Sequence, residues 1–137
     1  MNAFINTPVI VEDGAAVVFQ GLNFASRGCW ANNGGWLFAP QVTGQFTLTK
    51  PGTYRIAFTG VVTGFAGNVQ LEMDLNGAAI PGTDMQTTLA AATGFTQVAA
   101  TAEVVVPAGG NGYVTIRNIT GDAVTIDNAS LVITRIS

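Results

Sequence analysis

The chain holds no histidine, a single cysteine (Cys29) and a single lysine (Lys50). Without histidine, the Ser-His and Cys-His pairs that serve most nucleophilic catalysis cannot be built. Lys50 precedes Pro51 in what reads as an exposed turn, a poor place for a desolvated amine nucleophile. Carboxylates are the remaining proton carriers. Glu72 and Asp74 stand two apart on one strand face, with Cα atoms about 7 Å apart, a spacing that superficially suits paired-carboxylate glycoside hydrolysis. A solvated strand face accounts for the same pattern, and the expectation is no catalytic residue and no enzyme.

Metal and phosphate chemistry fare no better. One cysteine and no histidine exclude a zinc site. Calcium takes about six to eight oxygens, and only Asn118, Asp122, Asp127 and Asn128 gather near one turn. Asx-turn chemistry at the ends of a hairpin explains that group equally, so neither metal nor cofactor is expected. Gly109-Gly110-Asn111-Gly112 lacks the Lys-Ser/Thr and the following helix of a phosphate loop and reads as a hairpin turn. Asn118-Ile119-Thr120 and Asn128-Ala129-Ser130 match the glycosylation sequon as coincidences of composition. The stretch from Trp30 to Trp36 is unusual: a sugar ring could stack on Trp30 and Trp36 while the amides of Asn32 and Asn33 bind its hydroxyls. Packing of the tryptophans on the core or at a subunit contact competes with that lectin reading.

The elements that would position these groups are strands. In GTYRIAFTGVVT, Tyr54, Ile56, Phe58 and Val62 fall on one face, with Arg55, Thr59 and Val61 on the other. Pro51-Gly52 makes the turn before it, and Tyr54 opens the inward face with a hydroxyl that needs a partner. NVQLEMDLNG alternates likewise, with Val69, Leu71, Met73 and Leu75 opposed to Gln70, Glu72 and Asp74, and closes on an Asn76-Gly77 turn. About eight to ten short strands are expected, separated by Gly, Pro and Asp turn signals. The best helical stretch, TTLAAAT at 87–93, has no acidic first turn and stops at Gly94. The connections are too short for helical crossovers, which leaves an antiparallel sandwich or jelly roll.

Two strands are apolar on both faces. In ASLVITRI, Leu131 and Ile133 oppose Val132 and Ile136, and in 98–106 the valines Val98, Val104 and Val106 oppose Val105. A sandwich core covers only one face of each sheet, so the second face needs another partner, most economically a further copy of the chain. Val98, Val105, Val132 and Ile136 are the residues expected at that contact.

The composition agrees. In 137 residues only 9% are charged, against about 25% in ordinary soluble domains. Arg27, Lys50, Arg55, Arg117 and Arg135 form no basic stripe and the net charge is −3, so nucleic acid is not an expected partner. The opening MNAFINTPVIVED lacks the layout of a secretory signal, and no stretch is apolar enough to insert in a membrane. Cys29 has no partner in the chain and reads as a small packed thiol. One domain over 1–137 is expected.

The ordered set Gly44, Phe46, Gly52 and Tyr54 resembles the signature of the complement globular-head family, itself related to tumour necrosis factor. Asn76-Gly77, Pro81-Gly82-Thr83 and Ala129 to Ile133 resemble, more closely, the BclA-like C-terminal domain of bacterial exosporium collagen-like glycoproteins. The resemblance implies an all-β, TNF-like jelly-roll sandwich of about ten antiparallel strands, a homotrimer and no enzymatic activity. It also implies a display head at the spore surface. No Gly-X-Y triplets precede Ala3, so either a collagen-like stalk lies outside this chain or the domain stands alone. A phage head or tail fibre, placing the domain on a virion, is the alternative setting, and a cell-surface glycan or receptor the expected outside partner.

Overall fold

The computed structural model describes residues 1–24, 29–31, 43–110 and 112–137; the side chains of Phe24, Trp30 and Ala31 are not included. Among the described residues there are twelve strands and no helix. They are β1 (Asn2–Ile5), β2 (Val9–Val11), β3 (Gly21–Phe24), β4 (Cys29–Ala31), β5 (Phe46–Leu48) and β6 (Gly52–Thr63). The second half comprises β7 (Gly67–Leu75), β8 (Ala78–Ala79), β9 (Met85–Leu89), β10 (Phe95–Val106), β11 (Gly112–Asn118) and β12 (Val124–Arg135). Thr87 to Leu89, the first three of the seven residues of the best helical stretch, belong to β9, because a strand partner on β7 is at hand and an isolated helical turn is marginal.

Two sheets result, antiparallel throughout. The first has the order β10-β6-β12-β1-β3, with β2 also on β12; the second has the order β4-β5-β11-β7-β8, with β9 also on β7. From β5 onward the chain alternates between sheets, apart from the local β7-β8-β9 meander. The turn after Pro107, closed by the Gly110 amide on the Pro107 carbonyl at 3.0 Å, therefore carries the chain from one sheet to the other. That corrects the hairpin expected there: β10 and β11 never pair. Such sheet-to-sheet crossings between antiparallel strands are jelly-roll connectivity.

Alternation decides which side chains meet in the middle. Tyr54, Ile56, Phe58 and Val62 of β6 face Val69, Leu71 and Met73 of β7, Val114 and Ile116 of β11, and Phe46 and Leu48 of β5 in one buried core. Phe19 joins the two sheets: its ring lies edge-on to Phe46 at 5.4 Å and to Phe58 at 6.3 Å. The Tyr54 hydroxyl donates to the Lys50 carbonyl at 2.7 Å. Asn76 and Gly77 both take positive φ (55° and 83°), as a two-residue hairpin with Leu75 opposite Ala78 requires.

One irregularity sets the faces of β12. Asn128 and Ala129 together oppose Gly60 of β6, between the pairs Asp127 with Val61 and Ser130 with Thr59. This is a β-bulge, with Asn128 at φ 49°. Before it the inward residues are Val124 and Ile126; after it they are Ala129, Leu131 and Ile133. Gly60 has no room for more: a Cβ there would come within 2.9 Å of the Phe58 ring and 3.2 Å of Ala129.

Candidate functional site

The outer face of the first sheet is built from alternate residues of β10, β6 and β12. Register places Phe95, Thr63, Thr125 and Ile10 side by side at one end, and Thr101, Ala57, Val132 and Asn2 across the middle. At the other end Val105 lies beside Thr53, whose carbonyl accepts from the Ile136 amide at 2.8 Å. These rows contain every exposed large apolar side chain among the described residues: Phe95 (74% exposed), Ile10 (70%), Val105 (66%), Ile136 (41%) and Val132 (37%). Small and hydroxylated neighbours fill the space between them. Among the described residues, charge enters these rows only through Asp127 and the ion pair of Arg55 with Glu103.

Of the four residues expected at a subunit contact, Val105, Val132 and Ile136 share this face. Val98 does not. It pairs with Gly60, an inward position, and is buried with Val104 and Val106 in the core. The strand keeps strict alternation, so Val98 and Val105, an odd number of residues apart, cannot point to the same side. Phe95 and Ile10 were missed by sequence reasoning. Their exposure becomes visible only when β10, β6, β12 and β2 are laid side by side.

The second candidate is a charge cluster on the outer face of the second sheet. Arg117 of β11 lies opposite Glu72 of β7 and beside Asp74. Its Nη2 donates to Glu72 Oε1 at 3.0 Å, and its Nε stands 3.0 Å from Asp74 Oδ2 but too far off line for a hydrogen bond. Glu72 and Asp74 are both buried, which corrects the solvated face expected for them. Burial foremost, then the neighbouring Glu72 carboxylate, pushes the Asp74 carboxyl from its ordinary 3.8 up to about 6, against the pull of Arg117. One arginine facing two carboxylates favours retention of a proton. Both carboxylates of the cluster are buried among the described residues and not open to a substrate.

The residues considered for calcium do not converge on one site. Asn118 is buried; its Nδ2 donates to the carbonyls of Val11 and Asp122 at 3.0 and 2.8 Å, and its Oδ1 accepts from the Thr120 amide at 3.0 Å. This Asx turn ties β2 to the β11-β12 connection, while Asp122 is exposed at the turn and Asp127 lies on the outer face of the first sheet. Among the described residues no cluster of three or more His, Cys, Asp or Glu could hold a metal. Asn32, Asn33 and Trp36 lie outside the described residues, as does the Trp30 side chain, although Trp30 itself belongs to β4. Cys29 is buried, and burial pushes its thiol up to about 12 against the opposing effect of the Met1 ammonium. It is an unreactive packed thiol.

No family model matches the chain, and no curated protein matches its sequence. Solved structures do. The globular domain of zebrafish complement 1qA superposes with a TM-score of 0.63 at 15% identity, covering 93% of this chain and 92% of that one. The Eiger tumour necrosis factor of S. frugiperda also gives 0.63, at 12% identity, over 100% of this chain and 92% of that one. Murine APRIL gives 0.58 at 9% identity, over 92% and 98%. Identities this low carry information about the backbone alone, and on that basis the chain has the jelly-roll fold shared by complement globular heads and tumour necrosis factors.

Proposed function

We propose that the chain is a non-enzymatic, homotrimeric display head, carried at the surface of a bacterial spore by an exosporium filament. The observation that carries the assembly is the gathering of Phe95, Ile10, Val105, Val132 and Ile136 on one sheet face. The five stand in separate rows with small and hydroxylated residues between them, so it is the weakly charged face as a whole, and not one contiguous patch, that supports a covering partner. The occupant that fits is a further copy of the chain: among the described residues the face has three charged groups, two of which neutralise each other, so they offer no field that would select a strongly charged partner. The number three and the spore setting come from the resemblance to complement and exosporium heads. Such a head works by shape and durability, and low charge with abundant Val and Thr strands suits tightly packed sheets.

Sedimentation equilibrium at micromolar concentration tests the assembly. A mass near three times 14.1 kDa is expected, and a mass near one copy overturns the proposal. An antibody raised against the domain tests the setting: it should decorate intact spores of the producing cell, whereas decoration of virions alone would assign the head to a phage fibre.

A further inference from the structure

Arg55 and Glu103 are charged residues placed among uncharged ones. Arg55 Nη2 donates to Glu103 Oε1 at 2.9 Å and Nε reaches the same oxygen at 3.3 Å, with both side chains about half exposed. Register puts Glu103, Arg55 and Thr134 in one row on the outer face of the first sheet. The row on one side holds Val105, Thr53 and Ile136; the row on the other holds Thr101, Ala57, Val132 and Asn2. Successive rows on one face of a sheet are about 7 Å apart. A surface that covers both apolar rows therefore spans about 14 Å and has to run over the ion pair between them.

We propose that the Arg55 and Glu103 pair is enclosed between copies of the chain and governs whether they associate. The inference rests on the assembly reading above and names the group within it that is sensitive to change. In water, an exposed Arg-Glu pair contributes next to nothing to stability. Covered, the same pair is tolerated only while both charges remain together, because an arginine or a carboxylate left alone in a dry contact loses its hydration without compensation. The chain thus carries, amid an otherwise permissive surface of Val, Thr and Ala, one charged unit that penalises any association leaving it half paired.

The test compares wild type, Glu103→Gln, Arg55→Gln and the double variant by sedimentation equilibrium, with circular dichroism to confirm that each folds. The substitutions lie at exposed outer-face positions, so folding is expected to be retained. Each single variant should raise the concentration for half-assembly at least about 30-fold, the lower end of what unpairing a covered charge costs. The double variant, with no charge to bury, should recover at least about tenfold of that loss. Single variants that assemble like wild type would mean that the pair stays in water, and the inference fails while the assembly stands. Weakened singles with no recovery in the double would mean that each residue makes its own cross-contact, which also overturns the inference. A monomeric wild type removes the assembly reading and this inference together.

Discussion

Asp74 is the residue at which this fold works against itself at neutral pH. Its carboxyl is pushed up from 3.8 to about 6, so the folded chain holds the proton more tightly than the unfolded chain does. The favourable contribution is fully present below about pH 4 and is lost as pH rises through about 6, where the ionised group costs up to about 3 kcal/mol. Asp74→Asn keeps the shape and can donate to Glu72. It should be more stable than wild type at pH 8 by about 1 to 3 kcal/mol, and the gap should close near pH 4. Urea midpoints at the two pH values measure this; a gap independent of pH would contradict it. Tyr54 gives the opposite case, a polar atom in the core that is satisfied. Tyr54→Ala removes a fully buried ring together with the bond to Lys50 and should cost about 3 to 5 kcal/mol in denaturant unfolding. A loss below about 1 kcal/mol would place the ring at the surface.

At the scale of elements, β12 depends on its bulge. Asn128 absorbs one extra residue at φ 49°, a conformation that asparagine tolerates and β-branched residues avoid. Asn128→Val should therefore destabilise the chain by about 1 to 2 kcal/mol, and Asn128→Gly should be close to neutral, as thermal unfolding would report. The bulge has a consequence beyond its own energy. It reverses the inward parity of β12, so Leu131 and Ile133 enter the core while Val132 remains outside, Ile136 following beyond the strand end. A strand without it would turn Val132 into the core and Leu131 toward solvent. Equal tolerance of valine and glycine at position 128 would show that the strand keeps its faces by packing alone.

For the whole molecule, the sandwich satisfies one face of each sheet internally and leaves the two outer faces to different fates. The second sheet buries its outer Glu72, Asp74 and Thr115 alongside Arg117, whereas the first sheet leaves Val105, Val132 and Ile136 in water when the chain is alone. An aspartate at position 132 would bring charge to the middle row of that face. Val132→Asp is expected to leave the monomer folded, since the site is at the surface, and to lower the sedimenting mass to that of one chain by placing like charges in a dry contact. An unchanged mass would mean that copies associate elsewhere.

Much of this was legible in the order of residues. Tyr54, Ile56, Phe58 and Val62 announce an inward face by alternation alone, and so do Val69, Leu71 and Met73, because period two is a local property of a strand. Asn76-Gly77 identifies its own hairpin, since few other residues accept positive φ at both positions. The two-faced apolar character of 98–106 and 131–136 was likewise visible, and Val105, Val132 and Ile136 are exposed opposite buried neighbours. Which residues share a face across strands was not. Phe95 and Ile10, far apart in sequence, came to one end of the outer face through pairing with Thr63 and Thr125. The burial of Asp74 and the joining of Arg55 to Glu103 likewise follow from register between strands more than forty residues apart. Local alternation determines the two faces of each strand; only the assembled sheets determine what each face meets, because burial and charge pairing are properties of neighbours in space.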